Sequence, residues 1–192
     1  MSLLVISISY LLFYLYKEKI NTKKMIIYYT SVMIFNIFYY LLYKDVKYLV
    51  LINVIFPFFI LICYFDFKEM IIPDVMLLII LLYFIILRLC SINIINVSLK
   101  NVIVGGIGIF LIIVILLILF HFKIEIIGFG DLKLLFVLNI VLGYKMIILN
   151  LFIASVTACF FELLIFKRKI FPFGPYIIIG FLIVILLYQI LI

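Results

Sequence analysis

The sequence predicts an all-α, polytopic membrane protein of about eight transmembrane segments (range six to eight), and three observations carry that expectation. Only 12% of the residues are charged, against roughly 25% in soluble domains. Hydrophobic residues make up 71% of the chain, and its mean hydropathy is +1.59. Apolar runs recur along the whole length, most of them approaching the roughly 20 residues that cross a hydrocarbon core as a helix. A soluble chain of 192 residues has no way to hide this much apolar surface. Residues 1–192 are therefore expected to form one membrane-embedded domain with no soluble domain.

In chain order, spans are placed at about 2–16, 25–43, 48–65, 75–90, 102–120, 131–144, 146–166 and 176–192. The first lacks the basic flank and small-residue cleavage site of a secretory signal, so it is read as a retained span. Its Tyr10, Phe13, Tyr14 and Tyr16 suit a helix that ends at a membrane interface. Charge clusters separate the runs, together with Pro73, Gly128–Gly130 and Pro172–Pro175. The sixth run is short. From Asp131 to Tyr144 a helix measures about 21 Å, less than the roughly 30 Å core. The Gly-Phe-Gly before it fits a helix that starts at membrane depth beside a water-filled cavity, where irregular backbone is tolerated.

The net charge of +7 does not point to nucleic acid, because the basic residues sit in short loops and read as orientation signals. Lys17, Lys19, Lys23, Lys24, Lys68, Lys123, Lys133, Lys167, Arg168 and Lys169 fall on one side. Lys44, Lys47, Arg88, Lys100 and Lys145 fall on the other. The first side is therefore expected to be cytoplasmic. Cys63, Cys90 and Cys159 stand in or at the ends of apolar runs, and no CxxC pairs them. They read as buried thiols, not as a disulfide frame or a zinc site. No metal and no cofactor is expected.

Two carboxylates stand out. Asp66 ends the third run and Asp131 opens the sixth, behind Gly128 and Gly130. One span leads away between them and one returns, so both belong at the cytoplasmic face. Carboxylates at a membrane edge are costly and read as functional by default. Two that share a site tend to share one proton. One can then accept a proton from water while the other polarises a peptide carbonyl, which is hydrolysis without metal or histidine. Simpler roles compete: Asp131 as a helix cap, Asp66 paired with Lys68, Asp74 as a cap behind Pro73, and Glu69 as a solvated residue. Glu162 is expected to snorkel to the interface or pair with Lys167, with an accessory role as the lesser reading. His121, the single histidine, argues for neither catalysis nor metal binding.

These residues resemble the motifs of the type IV prepilin peptidases. Asp66-Phe67-Lys68-Glu69-Met70-Ile71-Ile72-Pro73-Asp74 is similar to their first motif. Gly128-Phe129-Gly130-Asp131-Leu132-Lys133-Leu134-Leu135 is similar to their second, the GxGD motif, and Pro172-Phe173-Gly174-Pro175-Tyr176 resembles a later bacterial segment. The resemblance covers residues of about 60 to 185. It implies an aspartyl endopeptidase with Asp66 and Asp131 catalytic, and with Gly128, Gly130, Lys133, Pro73, Gly174 and Pro175 as supporting motif residues. It implies a prepilin or pseudopilin substrate with a basic leader and an apolar helix, cut at the cytoplasmic face of a bacterial inner membrane.

The chain departs from the longer bacterial members between its first two spans. Only Lys17–Lys24 stand there, with no paired cysteines, so cleavage without N-methylation is expected. Two alternatives are an ion- or proton-coupled transporter using the same aspartates, and a protease of the presenilin or signal-peptide-peptidase type, which shares GxGD. Both carboxylates lie at one face with no detectable half-repeat, which disfavours the transporter. The Pro73-Asp74 spacing and the lack of a Pro-Ala-Leu motif near the C-terminus disfavour the presenilin type.

Overall fold

The computed structural model describes residues 46–90, 92, 95–121, 128–166 and 171–190. All regular structure among them is helical: α1 (Val46–Glu69), α2 (Asp74–Leu89), α3 (Leu99–His121), α4 (Phe129–Ala158), a π-helix (Cys159–Phe166) and α5 (Gly174–Ile190). The expected spans at 2–16 and 25–43 lie outside the described residues. Counted end to end, Phe129–Glu162 is by length and composition enough to cross a membrane, although Gly143 interrupts it, and Leu99–Ile115 and Gly174–Tyr188 are shorter apolar helices. The chain divides into two compact units, Met1–Leu61 and Ile62–Ile192. Within the first, the described residues are the opening turns of α1, with Pro57 inside the helix.

The second unit holds everything from the last two turns of α1 onward. Local sequence sets its boundaries. Met70 follows the end of α1 in the left-handed region, at φ 54°, and Pro73 then occupies the cap position of α2 with extended backbone. A proline also disfavours helical backbone in the residue before it, which keeps Ile72 out of either helix. Asp74 opens α2, where a carboxylate complements the helix dipole. Helix α5 begins with Gly174 and Pro175, and proline is tolerated in a first turn because its missing N–H has no helical partner there.

Helix α4 is not one rod. Gly143 breaks it with φ 64° and ψ 176°, a backbone conformation that favours glycine. A straight helix from Asp131 to Glu162 would be about 46 Å long. Yet Asp131 shares a cleft with Asp66, Asp66 binds Gly174, and Glu162 binds Tyr176, two residues further on. Both ends of α4 therefore lie at the same end of the unit. The chain reverses at Gly143, giving two antiparallel arms, 129–142 and 144–158, with the π-helix continuing the second. This matches the boundary expected between the runs 131–144 and 146–166.

The opposite end is built around that reversal. Arg88 donates to the carbonyl of Ile140 at 3.0 Å and to that of Val97 at 2.8 Å. Ile140 is the residue whose carbonyl would accept from position 144 in an unbroken helix, so the guanidinium occupies an acceptor at the break. Asn139 donates to the carbonyl of Val102 at 2.9 Å, and the Asn96 amide donates to the Tyr188 hydroxyl at 3.1 Å. Between the two ends runs an apolar core that includes Met76, Ile80, Phe84, Leu134, Leu138 and Phe181, all fully buried. The rings of Phe84 and Phe181 lie 6.2 Å apart, within the range of favourable aromatic pairs. Cys63 is half-buried, whereas Cys90 and Cys159 are exposed, and all three thiols are free. The expectation of buried thiols holds for the Cys63 thiol and is corrected for Cys90 and Cys159: a residue in an apolar helix need not face the unit's interior.

Candidate active site

Asp66 stands in the last turn of α1 and is only 5% exposed. Its partner is not the neighbouring Lys68, which lies 3.7 Å from Glu69. Instead the backbone N–H of Gly174, 108 positions away, donates to Asp66 Oδ2 at 2.9 Å. Gly174 is the first residue of α5, so the carboxylate sits where free amides and the helix dipole both favour negative charge. The glycine is needed there for space. A Cβ at position 174 would lie 2.7 Å from Asp66 Oδ2 and 3.1 Å from Ile72 Cδ1.

Asp131 is the third residue of α4, and the cap position is Gly128, which has no side chain to offer. The expectation of Asp131 as a cap residue is thus not what the helix shows; its own amide donates to the Gly128 carbonyl at 3.2 Å. Its side chain lies back over Gly128, where a Cβ would come within 3.2 Å of Oδ2, while a Cβ on Gly130 would meet Ile72 Cβ at 3.1 Å. Ile72, buried and fixed by Pro73, is therefore a wedge between the first turns of α4 and α5. The two motif glycines and Gly174 let three backbone segments close around one point.

The two carboxylates line one open cleft of about 370 Å³ with Gly128, Gly130, Pro73, Asp74 and Lys133. The fold brings them to one cleft although 65 positions separate them in the sequence. Met70, Ile71 and Phe129 give the cleft an apolar mouth, 54%, 59% and 41% exposed. Asp74 does not cap α2, since Pro73 holds that position without a side-chain bond. It forms an ion pair with Lys133 at 2.7 Å across the cleft rim. Among the described residues no group of three His, Cys, Asp or Glu is placed to hold a metal ion.

Of the supporting residues expected from sequence, Gly128, Gly130, Pro73 and Lys133 line the cleft, Gly174 binds Asp66, and Pro175 is buried in the first turn of α5. Sequence reasoning weighed Glu162 mainly as an interfacial residue and gave Tyr176 no role of its own. Glu162 is fully buried, so it neither snorkels nor reaches solvent, and it accepts a 2.6 Å hydrogen bond from the Tyr176 hydroxyl. Lys167, its expected partner, lies outside the described residues. A signal was present: Asn150, Ala154, Ala158 and Glu162 recur every fourth residue, and all four are buried. That spacing marks one helix face turned inward.

Residues 53–163 match the type IV leader peptidase family. The match spans more than half of the 192 residues and contains both aspartates; the chain belongs to this family. Comparison with curated proteins and with solved structures returned no match.

Proposed function

From that membership and the paired carboxylates, we propose that the chain is an aspartic endopeptidase of the cytoplasmic membrane of a bacterium, with Asp66 and Asp131 as its catalytic residues. Its substrate is a prepilin or pseudopilin, whose basic leader it removes at the cytoplasmic face. Cleavage proceeds without methyl transfer to the new terminus. The observation that carries this reading is the shared cleft: two carboxylates from distant segments line one open cavity.

Two carboxyl groups so placed hold one proton between them at lowest cost. The donor at Gly174 favours the negative charge on Asp66, leaving the proton to Asp131. Asp66 then accepts a proton from an attacking water, and Asp131 donates a hydrogen bond to the scissile carbonyl. The carbonyl must be free to receive both. A peptide bond inside a regular helix has its carbonyl already occupied, so the bond that is cut lies just outside the substrate's apolar helix. The exposed Met70, Ile71 and Phe129 at the cleft mouth suit contact with that helix, and burying apolar side chains there contributes affinity.

Asp66→Asn and Asp131→Asn are the test, each purified and assayed on a prepilin-like substrate with a basic leader. Both variants are expected to lose cleavage while expressing normally, and cleavage by either one at the wild-type rate sinks the assignment. Mass spectrometry of the cleaved substrate with S-adenosylmethionine present reports on methyl transfer, and an added methyl group would refute that part.

A further inference from the structure

The second arm of α4 and helix α5 meet along two matched stripes. On the arm, Asn150, Ala154, Ala158 and Glu162 face inward; on α5, Tyr176 and Gly180 oppose them, with Val184 buried on the same face. Gly180 lies against Asn150 and Ala154, with no room for a Cβ. Tyr176 lies against Glu162. Small residues at such positions let two helices approach closely, as in membrane helix pairs. To that close packing a directional hydrogen bond adds a constraint on the axial register of the two helices. Among the described residues, the seam carries a directional bond at its cleft end, from Tyr176 Oη to Glu162.

That bond sits two residues from the amide that holds Asp66. The amides of Tyr176 and Ile177 both donate to the Phe173 carbonyl, at 3.0 and 3.2 Å, so Gly174 and Tyr176 move as one rigid first turn. A slip of α5 by one residue is about 1.5 Å, enough to break the 2.9 Å contact between the Gly174 N–H and Asp66. Glu162 stands in the π-helix Cys159–Phe166, a form that is rare and tends to occur at functional sites. We propose that Glu162 and Tyr176 are positioning residues for Asp66: their hydrogen bond fixes the axial register of α5 and so keeps the Gly174 amide on the catalytic carboxylate. This rests on the reading of Asp66 and Asp131 as the catalytic pair.

Tyr176→Phe removes the hydroxyl and little else, and Glu162→Leu removes the acceptor. Each is expected to lower kcat by about 10- to 100-fold, the scale of a roughly 1 Å misplacement at a reacting group, with KM changed less than threefold. Glu162→Gln keeps an oxygen that accepts the hydroxyl and is expected to restore most of the lost kcat. Hydrogen exchange in the peptide spanning residues 171–177 supplies a readout that does not depend on turnover. It should rise in Tyr176→Phe and Glu162→Leu and stay near wild type in Glu162→Gln. The double variant Glu162→Leu/Tyr176→Phe repairs the buried polarity and guards against simple misfolding; it should fold with normal thermal stability yet remain slow.

Wild-type kcat in that well-folded double variant, or equal losses in Glu162→Gln and Glu162→Leu, overturns the proposal. Failure of the underlying reading looks different: Asp66→Asn and Asp131→Asn would then cleave normally, whatever the Glu162 variants do.

Discussion

Adding one methyl group, Gly174→Ala, tests the geometry of the cleft most directly. The new Cβ would lie 2.7 Å from Asp66 Oδ2 and 3.1 Å from Ile72 Cδ1, and carbon–oxygen contacts that short are not sustained. Ile72 is wedged against Gly130 as well, so the Asp66 carboxylate is the group that moves. Its bond from the Gly174 N–H, at 2.9 Å, is then lost or badly bent. A hydrogen bond to a charged group is worth about 1.5–3 kcal/mol. If that stabilisation is needed in the transition state, kcat falls by roughly 10- to 150-fold. Position 174 also precedes Pro175, and a proline disfavours helical backbone in a residue that carries a Cβ before it, so thermal midpoints are read beside kcat to separate a weakened helix start from a displaced carboxylate. The control is Gly108→Ala, in α3, where a Cβ meets nothing within 4 Å; it should be neutral or slightly stabilising, with unchanged turnover. The assay is kcat and KM on a prepilin-like peptide in lipid nanodiscs, beside thermal midpoints for all three proteins. Gly174→Ala at wild-type kcat would refute the assigned role of that amide.

Two further outcomes follow from the cleft's surroundings. Breaking the Asp74–Lys133 pair by alanine substitution at either position should cost less than about 1 kcal/mol in thermal unfolding, because exposed pairs are screened and both side chains are more than half exposed; a loss of several kcal/mol would show that the pair holds the fold together. Met70→Gly removes the penalty of a side chain at φ 54°, a conformation that costs non-glycine residues roughly 1–2 kcal/mol, and should raise the thermal midpoint; a lower midpoint would mean that Met70's packing outweighs its strain.

Much of the site was legible in the sequence because its logic is topological. Counting crossings between Asp66 and Asp131 brought them to one end without any contact being known, and the glycines before Asp131 announced close approach. What pattern alone did not carry was the identity of each partner. Asp74 was expected to cap and instead meets Lys133, since a preceding proline already fixes the backbone and leaves the carboxylate free to bind a cation. Asp66 was weighed against its sequence neighbour Lys68, while its actual partner is an amide 108 positions away. Backbone donors leave no mark in a sequence. Glu162 was placed at the interface because carboxylates in apolar runs usually reach water. Its fourfold spacing with Asn150, Ala154 and Ala158 is what marks the inward face, and the Tyr176 hydroxyl across the seam is a partner that makes such burial tolerable.

The reversal at Gly143 decides whether any of this geometry exists. Without it, Glu162 would stand some 46 Å from Asp131, and α5 could not bring Gly174 to Asp66 while binding the second arm. Gly143 holds φ 64°, and a Cβ there would collide with the Val97 side chain and lie 3.3 Å from Asn101 Cβ. Gly143→Ala therefore meets backbone strain of roughly 1–2 kcal/mol and a steric clash in the same place. The loop carrying Val97 is itself tied to the break, since Arg88 binds both the Val97 and the Ile140 carbonyl. Displacing Val97 to admit a methyl group thus also loosens the guanidinium that serves the interrupted helix. The expected result is a destabilisation of about 2 kcal/mol or more in thermal unfolding, against a neutral or positive change for Gly108→Ala. Because the defect lies at the end of the unit opposite the cleft, the fraction that still folds should cleave with normal KM. A stable Gly143→Ala protein would mean that the two arms do not reverse there, and the convergence of Asp66, Asp131 and Glu162 at one end would lose its foundation.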